Sequence, residues 1–321
     1  MTGSSPVVTS QKARKETPVA LILEQLLNGV QLGVMLFLIA AGLTLIFGIM
    51  GVINLAHGSL YMIGAYAGAY VAAKTGSLLM AALGGLAAAA LAGILIELLV
   101  LRRLYHRDHL DQVLATFAII LTVNQGAVLL FGRQPLFVAI PEFLKGSVHL
   151  GLFTYPVYRL SIVAMGLLVA LALTFFITRT RLGMLVRAGA TNRDMVRALG
   201  VDIRLLYTLV FGLGALLAGL AGIMAGPLLA VQVGMGEQIL ILAFVVVVIG
   251  GLGSVRGAFF GALIVGMVDT MLRAFMPTLL RQVMAASDAD ALGAGLASMG
   301  VYLLMALVLL IRPKGLFPAH A

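Results

Sequence analysis

Apolar runs of about 20 residues recur along almost the whole chain, separated by short polar or glycine-rich connections. A run of that length, wound as an α-helix, matches the thickness of a bilayer and satisfies its own backbone polar groups where no water can reach them. The chain is therefore read as all-α, a polytopic transmembrane bundle of about eight to ten helices, some of them broken. Composition excludes the soluble alternative: of 321 residues 62% are hydrophobic and only 10% charged, against about 25% charged in an ordinary soluble domain. Cysteine is absent, which removes disulfides, thiolate metal ligands and thiol nucleophiles.

The apolar windows fall at roughly 30–50, 58–73, 78–101, 112–131, 157–178, 205–229, 238–251, 257–275 and 293–311. Two of them, 58–73 and 238–251, are too short for the bilayer and adjoin glycine-rich stretches where a helix can break at membrane depth. Segment 19–29, with Glu24, Gln25 and Asn28, is short and polar, and reads as an amphipathic helix at the interface unless it merges with the first span. Residues 1–18 read as a disordered tail with no signal-peptide cleavage site, 19–316 as a single transmembrane domain and 317–321 as a C-terminal tail.

The net charge of +9 reports loop topology rather than nucleic-acid binding. Loop 102–111 carries Arg102, Arg103 and Arg107, loop 179–204 carries Arg179, Arg181, Arg187, Arg193, Arg197 and Arg204, and the C-terminus carries Arg312 and Lys314. These three regions are assigned to the cytosol, and loops 74–77, 132–156 and 276–292 to the exterior. An odd number of crossings then puts the N-terminus outside, whereas Lys12, Arg14 and Lys15 favour the inside. An extra half-crossing or re-entrant piece within 19–57 would remove the conflict.

Two glycine-rich stretches align at an offset of 199 residues, with Gly51 on Gly250, His57 on Arg256 and Gly58 on Gly257. Both come out cytosolic, which makes the halves parallel repeats about an axis along the membrane normal. Around the first stretch Asn54, His57, Ser59 and Tyr61 form a polar cluster between apolar runs. Two readings stand: they line a path through the bundle, or Asn54 and His57 cap broken helix ends at the interface. Arg256, beside Ser254, is either a pathway group or an interfacial arginine that snorkels.

Asp269 and Arg273, four residues apart, suit a helical ion pair. Glu97, ahead of Arg102 and Arg103, is expected to snorkel, and Glu237 to sit in a helix first turn. The five histidines lack metal-ligand spacing, no phosphate-binding Gly-Lys-Ser/Thr loop appears, and no catalytic triad pattern is defensible. The chain is thus expected to bind no metal or cofactor, and any energy source lies in a partner. Within 179–204, Asn192 is an N-cap candidate for a short helix ending at Leu199 with Gly200 as its C-cap. Met195, Val196 and Leu199 would give that helix an apolar edge, with Arg193 and Arg197 one turn apart, so it reads as a docking element for a partner or as a basic topogenic loop.

Residues 42–66 (GLTLIFGIMGVINLAHGSLYMIGAY), 187–226 and 248–269 (VIGGLGSVRGAFFGALIVGMVD) resemble the first of the two permease subunits of bacterial branched-chain amino acid ATP-binding-cassette importers. The resemblance extends over about residues 20–316. It implies an inner-membrane subunit without enzymatic activity of its own, partnered by a second homologous permease, two cytosolic ATP-binding subunits that use ATP, and a periplasmic solute-binding protein. It makes 188–204 the coupling loop, carried by Ala190, Asn192, Arg193, Arg197, Leu199 and Gly200. Of the general Glu-Ala-Ala…Gly signature only Ala190 and Gly200 match. By the same analogy Asn54, His57, Gly58 and Tyr61 line the pathway, with Gly250, Gly251, Gly253, Ser254 and Arg256 as second-half counterparts. Branched-chain amino acids are the implied solute, with urea, short amides and aromatic acids served by relatives. A stand-alone channel or ion-coupled carrier is the rival class, disfavoured by the scarcity of carboxylates inside the spans, essentially Glu97 and Asp269.

Overall fold

The computed structural model describes residues 18–105 and 107–317. The expected tails, with Lys12, Arg14 and Lys15, lie outside the described residues. Seven of the described helices are long and apolar enough to cross a membrane: α1 (Pro18–Met50), α3 (Leu78–Ile96, continued by a π turn at Glu97–Leu101 and α4 at Arg102–Leu104), α5 (His109–Phe131), α6 (Val157–Arg179), α9 (Ile203–Ala225), α11 (Val255–Leu280) and α12 (Ala286–Ile311). The two short windows are also helices, α2 (His57–Thr75) and α10 (Met235–Gly250). Two shorter helices, α7 (Arg181–Thr191) and α8 (Arg193–Ala198), lie between α6 and α9. Beside this helical bundle stands one small antiparallel hairpin, β1 (Ser147–His149) with β2 (Thr154–Pro156), in the 132–156 loop.

Segment 19–29 is not a separate interfacial helix. It is the first third of α1, which runs unbroken for 33 residues, roughly 50 Å at 1.5 Å per residue. The polar residue that argued against a span is satisfied by distant partners: Asn28 Oδ1 accepts from the Tyr155 hydroxyl at 3.1 Å and from Arg159. Those contacts place the start of α1 at the end bearing loop 132–156. At its other end α1 meets the turn between α10 and α11, where a Cβ on Gly48 would lie 3.3 Å from Gly253 Cα.

Helix α11 runs through Pro277 to Leu280, beyond the window that ended at 275, and α12 begins at Ala286 rather than near 293. The antiparallel pair is held, at the end where the two helices are joined, by a two-pronged bond from Arg281 to Asp290, at 3.0 and 2.8 Å. The core is centred on α1, α2, α9, α10 and α11, whose facing residues are buried. Helices meet there by close backbone approach, as expected where lipid supplies no hydrophobic drive between helices. A Cβ on Gly222 would fall 2.0 Å from Tyr61 O, and one on Gly58 2.3 Å from Gly236 O.

Candidate functional site: the broken helix and the coupling face

Between α1 and α2 the chain doubles back. Residues 51–56 are non-helical, and Gly51 takes a left-handed φ of +66° that only glycine adopts cheaply. The His57 ring then lies against Gly42, two turns or roughly 12 Å back along α1 from Met50. Helix α2 thus starts alongside α1 inside the bundle rather than beyond the end of α1. Asn54 and His57 are fully buried, and neither Asn54 amide atom nor either His57 ring nitrogen has a hydrogen-bond partner. They do not cap helix ends: Ala56 holds the N-cap position of α2, with no side-chain bond to it. Gly58 packs on Gly236 of α10, and Tyr61, also buried, on Gly222 of α9.

The second glycine-rich stretch is built differently. Residues 251–254 form a tight turn between α10 and α11, with Ser254 Oγ accepting from Gly257 N at 3.1 Å. The last carbonyls of α10, which would otherwise be unpaired, are covered by the C-terminal segment: Leu316 N donates to Ile249 O at 2.8 Å and Phe317 N to Gly250 O at 2.9 Å. Gly250 and Gly251 are buried under those contacts, whereas Arg256 is exposed.

The short helix at 193–198 has the expected N-cap, but it ends one residue early, with Leu199 as its C-cap and the left-handed Gly200 just after it. Asn192 Oδ1 accepts from Met195 N at 2.9 Å, and Gly200, at φ +84°, donates from its backbone to Arg197 O at 3.0 Å. Its apolar edge is narrower than expected: Val196 is buried, but Met195 and Leu199 are 59% and 76% exposed. The longer helix α7, capped by the Thr180 hydroxyl at Gly183 N (3.0 Å), was not anticipated. Its signal was a Thr followed three residues later by a glycine that a close neighbour demands, since a Cβ on Gly183 would lie 2.2 Å from Phe176 O.

Helix α8 faces a cleft of about 730 Å³, lined by Arg193, Asp194 and Arg197 together with Asp202, Arg204 and Tyr207 of the α9 entrance and Arg102 and Tyr105 of the α3 exit. The Arg193 guanidinium reaches the broken segment, 3.4 Å from where a Cβ on Gly51 would sit. The structure therefore brings Arg193 of the loop into contact with the start of the break. It leaves Gly250 and Gly251 apart from both. Ala190, Gly253, Ser254 and Arg256 line a different cleft at the same end.

Glu97 does not snorkel. It is fully buried and accepts from Arg102 Nε and Nη2 (both 3.2 Å), the Tyr105 hydroxyl (2.6 Å) and the Thr208 hydroxyl (2.7 Å). A regular helix aligns i with i+4, but the π turn at 97–101 admits one extra residue and brings i+5 into line. Burial, and then the bond to Glu97, hold the Tyr105 phenol well above its usual pKa, so it stays a donor. The Asp269–Arg273 pair is present at 2.8 Å with Asp269 buried, and Glu237 stands in the first turn of α10, bonded by Asn124.

Seven helices long and apolar enough to cross a membrane, packed as one bundle, define a multi-pass membrane protein. The family model for the branched-chain amino acid transport system permease component matches residues 25–311, and the chain belongs to that family. Among its relatives, the high-affinity branched-chain amino acid transport system permease protein LivH of Salmonella typhimurium is 31% identical over 309 residues, covering 92% of this chain and 94% of the relative. BraD of Pseudomonas aeruginosa, described in the same words, is 33% identical over 312 residues, covering 92% and 95%. The probable branched-chain amino acid transport permease protein LivH of Methanocaldococcus jannaschii is 26% identical over 289 residues, covering 88% of each. No solved structure matches the chain significantly.

Proposed function

We propose that the chain is one of two permeases of an ATP-driven importer in a bacterial inner membrane, carrying leucine, isoleucine and valine. Its partners are a second homologous permease, two cytosolic ATP-binding subunits that hydrolyse ATP, and a periplasmic binding protein that selects the solute. Membership of the permease family supports the transport role and the solute class. The observation that carries the mechanism is Arg193 of α8 against Gly51 at the start of the break. A push on α8 from below reaches residues 51–56 directly, and these hold Asn54 and adjoin His57 at membrane depth.

In this reading the break is the moving part. Buried polar groups without partners each cost about 1–3 kcal/mol, so the state in which Asn54 and His57 are orphaned is poised against one in which they meet water or solute. ATP-driven rocking of the two permeases shifts the balance, opening the path on one side at a time. Leucine uptake by the complete transporter, in variants that still insert, tests the coupling. Arg193→Glu inverts the charge at the break and Gly200→Trp forces a bulky side chain onto a φ of +84°, and each should abolish uptake. Wild-type uptake in both would sink the coupling assignment.

A further inference from the structure

The cytosolic end of the bundle holds a second cleft, of about 630 Å³, walled by apolar side chains that include Ile49 of α1, Val186 of α7 and Phe317 of the C-terminal segment. Its charged lining is Arg187, Arg256 and Arg312, with no carboxylate among the lining residues. All three arginines are exposed, and among the described residues none lies within 4.0 Å of a carboxylate. Thr44, another lining residue, is fully buried, and its hydroxyl has no hydrogen-bond partner. Like charges gathered around a cleft with low-dielectric walls focus a positive potential that only an anion relieves.

We propose that this cleft binds the phosphate headgroup of an anionic glycerophospholipid. Arginine forks match phosphate oxygens geometrically and electrostatically. A zwitterion, whether an amino acid or a choline or ethanolamine lipid, would leave its cationic group with no carboxylate to meet. The cleft lies at the end assigned to the cytosol by the loop arginines, where anionic headgroups gather and where basic pockets between helices take them. Its apolar wall continues outward: Phe317 packs on the half-exposed Phe260 with ring centroids 5.3 Å apart, and Leu310 and Ile311, just before Arg312, are 82% and 70% exposed. Acyl chains have a surface to leave along, which a free phosphate would not use.

The test is native mass spectrometry of the whole transporter, purified from its host in mild detergent, delipidated and titrated in parallel with phosphatidylglycerol, phosphatidylcholine and inorganic phosphate. Phosphatidylglycerol should bind at least tenfold more tightly than phosphatidylcholine, by the order of magnitude expected for a few surface arginines. The double variant Arg256→Gln/Arg312→Gln should weaken it roughly twentyfold, from about fivefold per basic side chain at a membrane surface. Arg281→Gln, at the opposite end, should leave binding unchanged. If the double variant fails to assemble, Arg187→Gln alone should show the fivefold loss. Equal binding of the two lipids, or unchanged binding in the variants, overturns the proposal. Full displacement of phosphatidylglycerol by inorganic phosphate overturns the lipid source in favour of a soluble anion. Lipid that binds only after the ATP-binding subunits are stripped assigns the arginines to a protein interface and overturns it equally.

Discussion

Glu97→Leu should be among the most destabilising single changes in the bundle, and a second change should rescue it. The substitution removes the acceptor of four hydrogen bonds, two from Arg102 and one each from Tyr105 and Thr208. Breaking a buried ion pair by removing one partner costs about 3–5 kcal/mol. The Arg102 side chain keeps 33% of its exposure, so the lower end, about 3 kcal/mol, applies to the pair. The Tyr105 hydroxyl, left without its acceptor, adds about 1 kcal/mol. In Glu97→Leu/Arg102→Met the uncompensated cation is gone, and the loss should fall to about 1–2 kcal/mol. The double change is thus milder than the single one by about 2–3 kcal/mol, a non-additivity of the kind expected between residues in contact. Reversible unfolding of the solubilised chain by titration into sodium dodecyl sulfate, followed by circular dichroism, measures each free energy. A Glu97→Leu variant within about 0.5 kcal/mol of wild type, or a double variant as unstable as the sum of the singles, would refute the buried-network account.

His57→Leu replaces two unpartnered ring nitrogens by an apolar side chain, so stability in the same titration should hold or rise by about 1 kcal/mol while leucine uptake falls; a variant that transports normally would make the break mere scaffold. Gly222→Ala puts a Cβ 2.0 Å from Tyr61 O and should cost about 1–3 kcal/mol through overpacking, whereas Gly126→Ala, in open space, should cost nothing measurable. Asp269→Asn should lower stability by about 1 kcal/mol, because Arg273 is half exposed and can turn to water or lipid headgroups; a loss above about 3 kcal/mol would mean that Arg273 is buried in the assembled transporter.

The nine apolar windows were legible as helices because each is written as a local run of apolar residues, but only seven of the described helices are long and apolar enough to cross a membrane. The N-cap of α8 was legible for the same local reason: Asn192 acts on its own neighbours. What escaped the sequence depends on distant partners. Asn28 looked interfacial until Tyr155 and Arg159, far along the chain, supplied its hydrogen bonds. Glu97 looked like a snorkelling residue until the π turn and Thr208 closed around it. The apolar window closed at 275, yet α11 continues through Pro277, which packs against Gly293 of α12. The depth of Asn54 and His57 was the largest gap, since nothing local says whether six non-helical residues run along an interface or back into the bundle. Gly42, whose missing side chain makes room for the His57 ring, decides it, and that pairing carries no sequence signal of its own.

The most direct test of transport coupled through α8 is ATP-driven uptake of radiolabelled leucine into proteoliposomes holding the transporter as purified from its host, with the binding protein added on the side opposite the ATP-binding subunits. Wild type should accumulate leucine only with ATP, unlabelled isoleucine and valine should compete, and Arg193→Glu should stop uptake while the partners remain bound. Leucine entry that needs no ATP and no binding protein, or that persists at the wild-type rate in Arg193→Glu, would contradict the account.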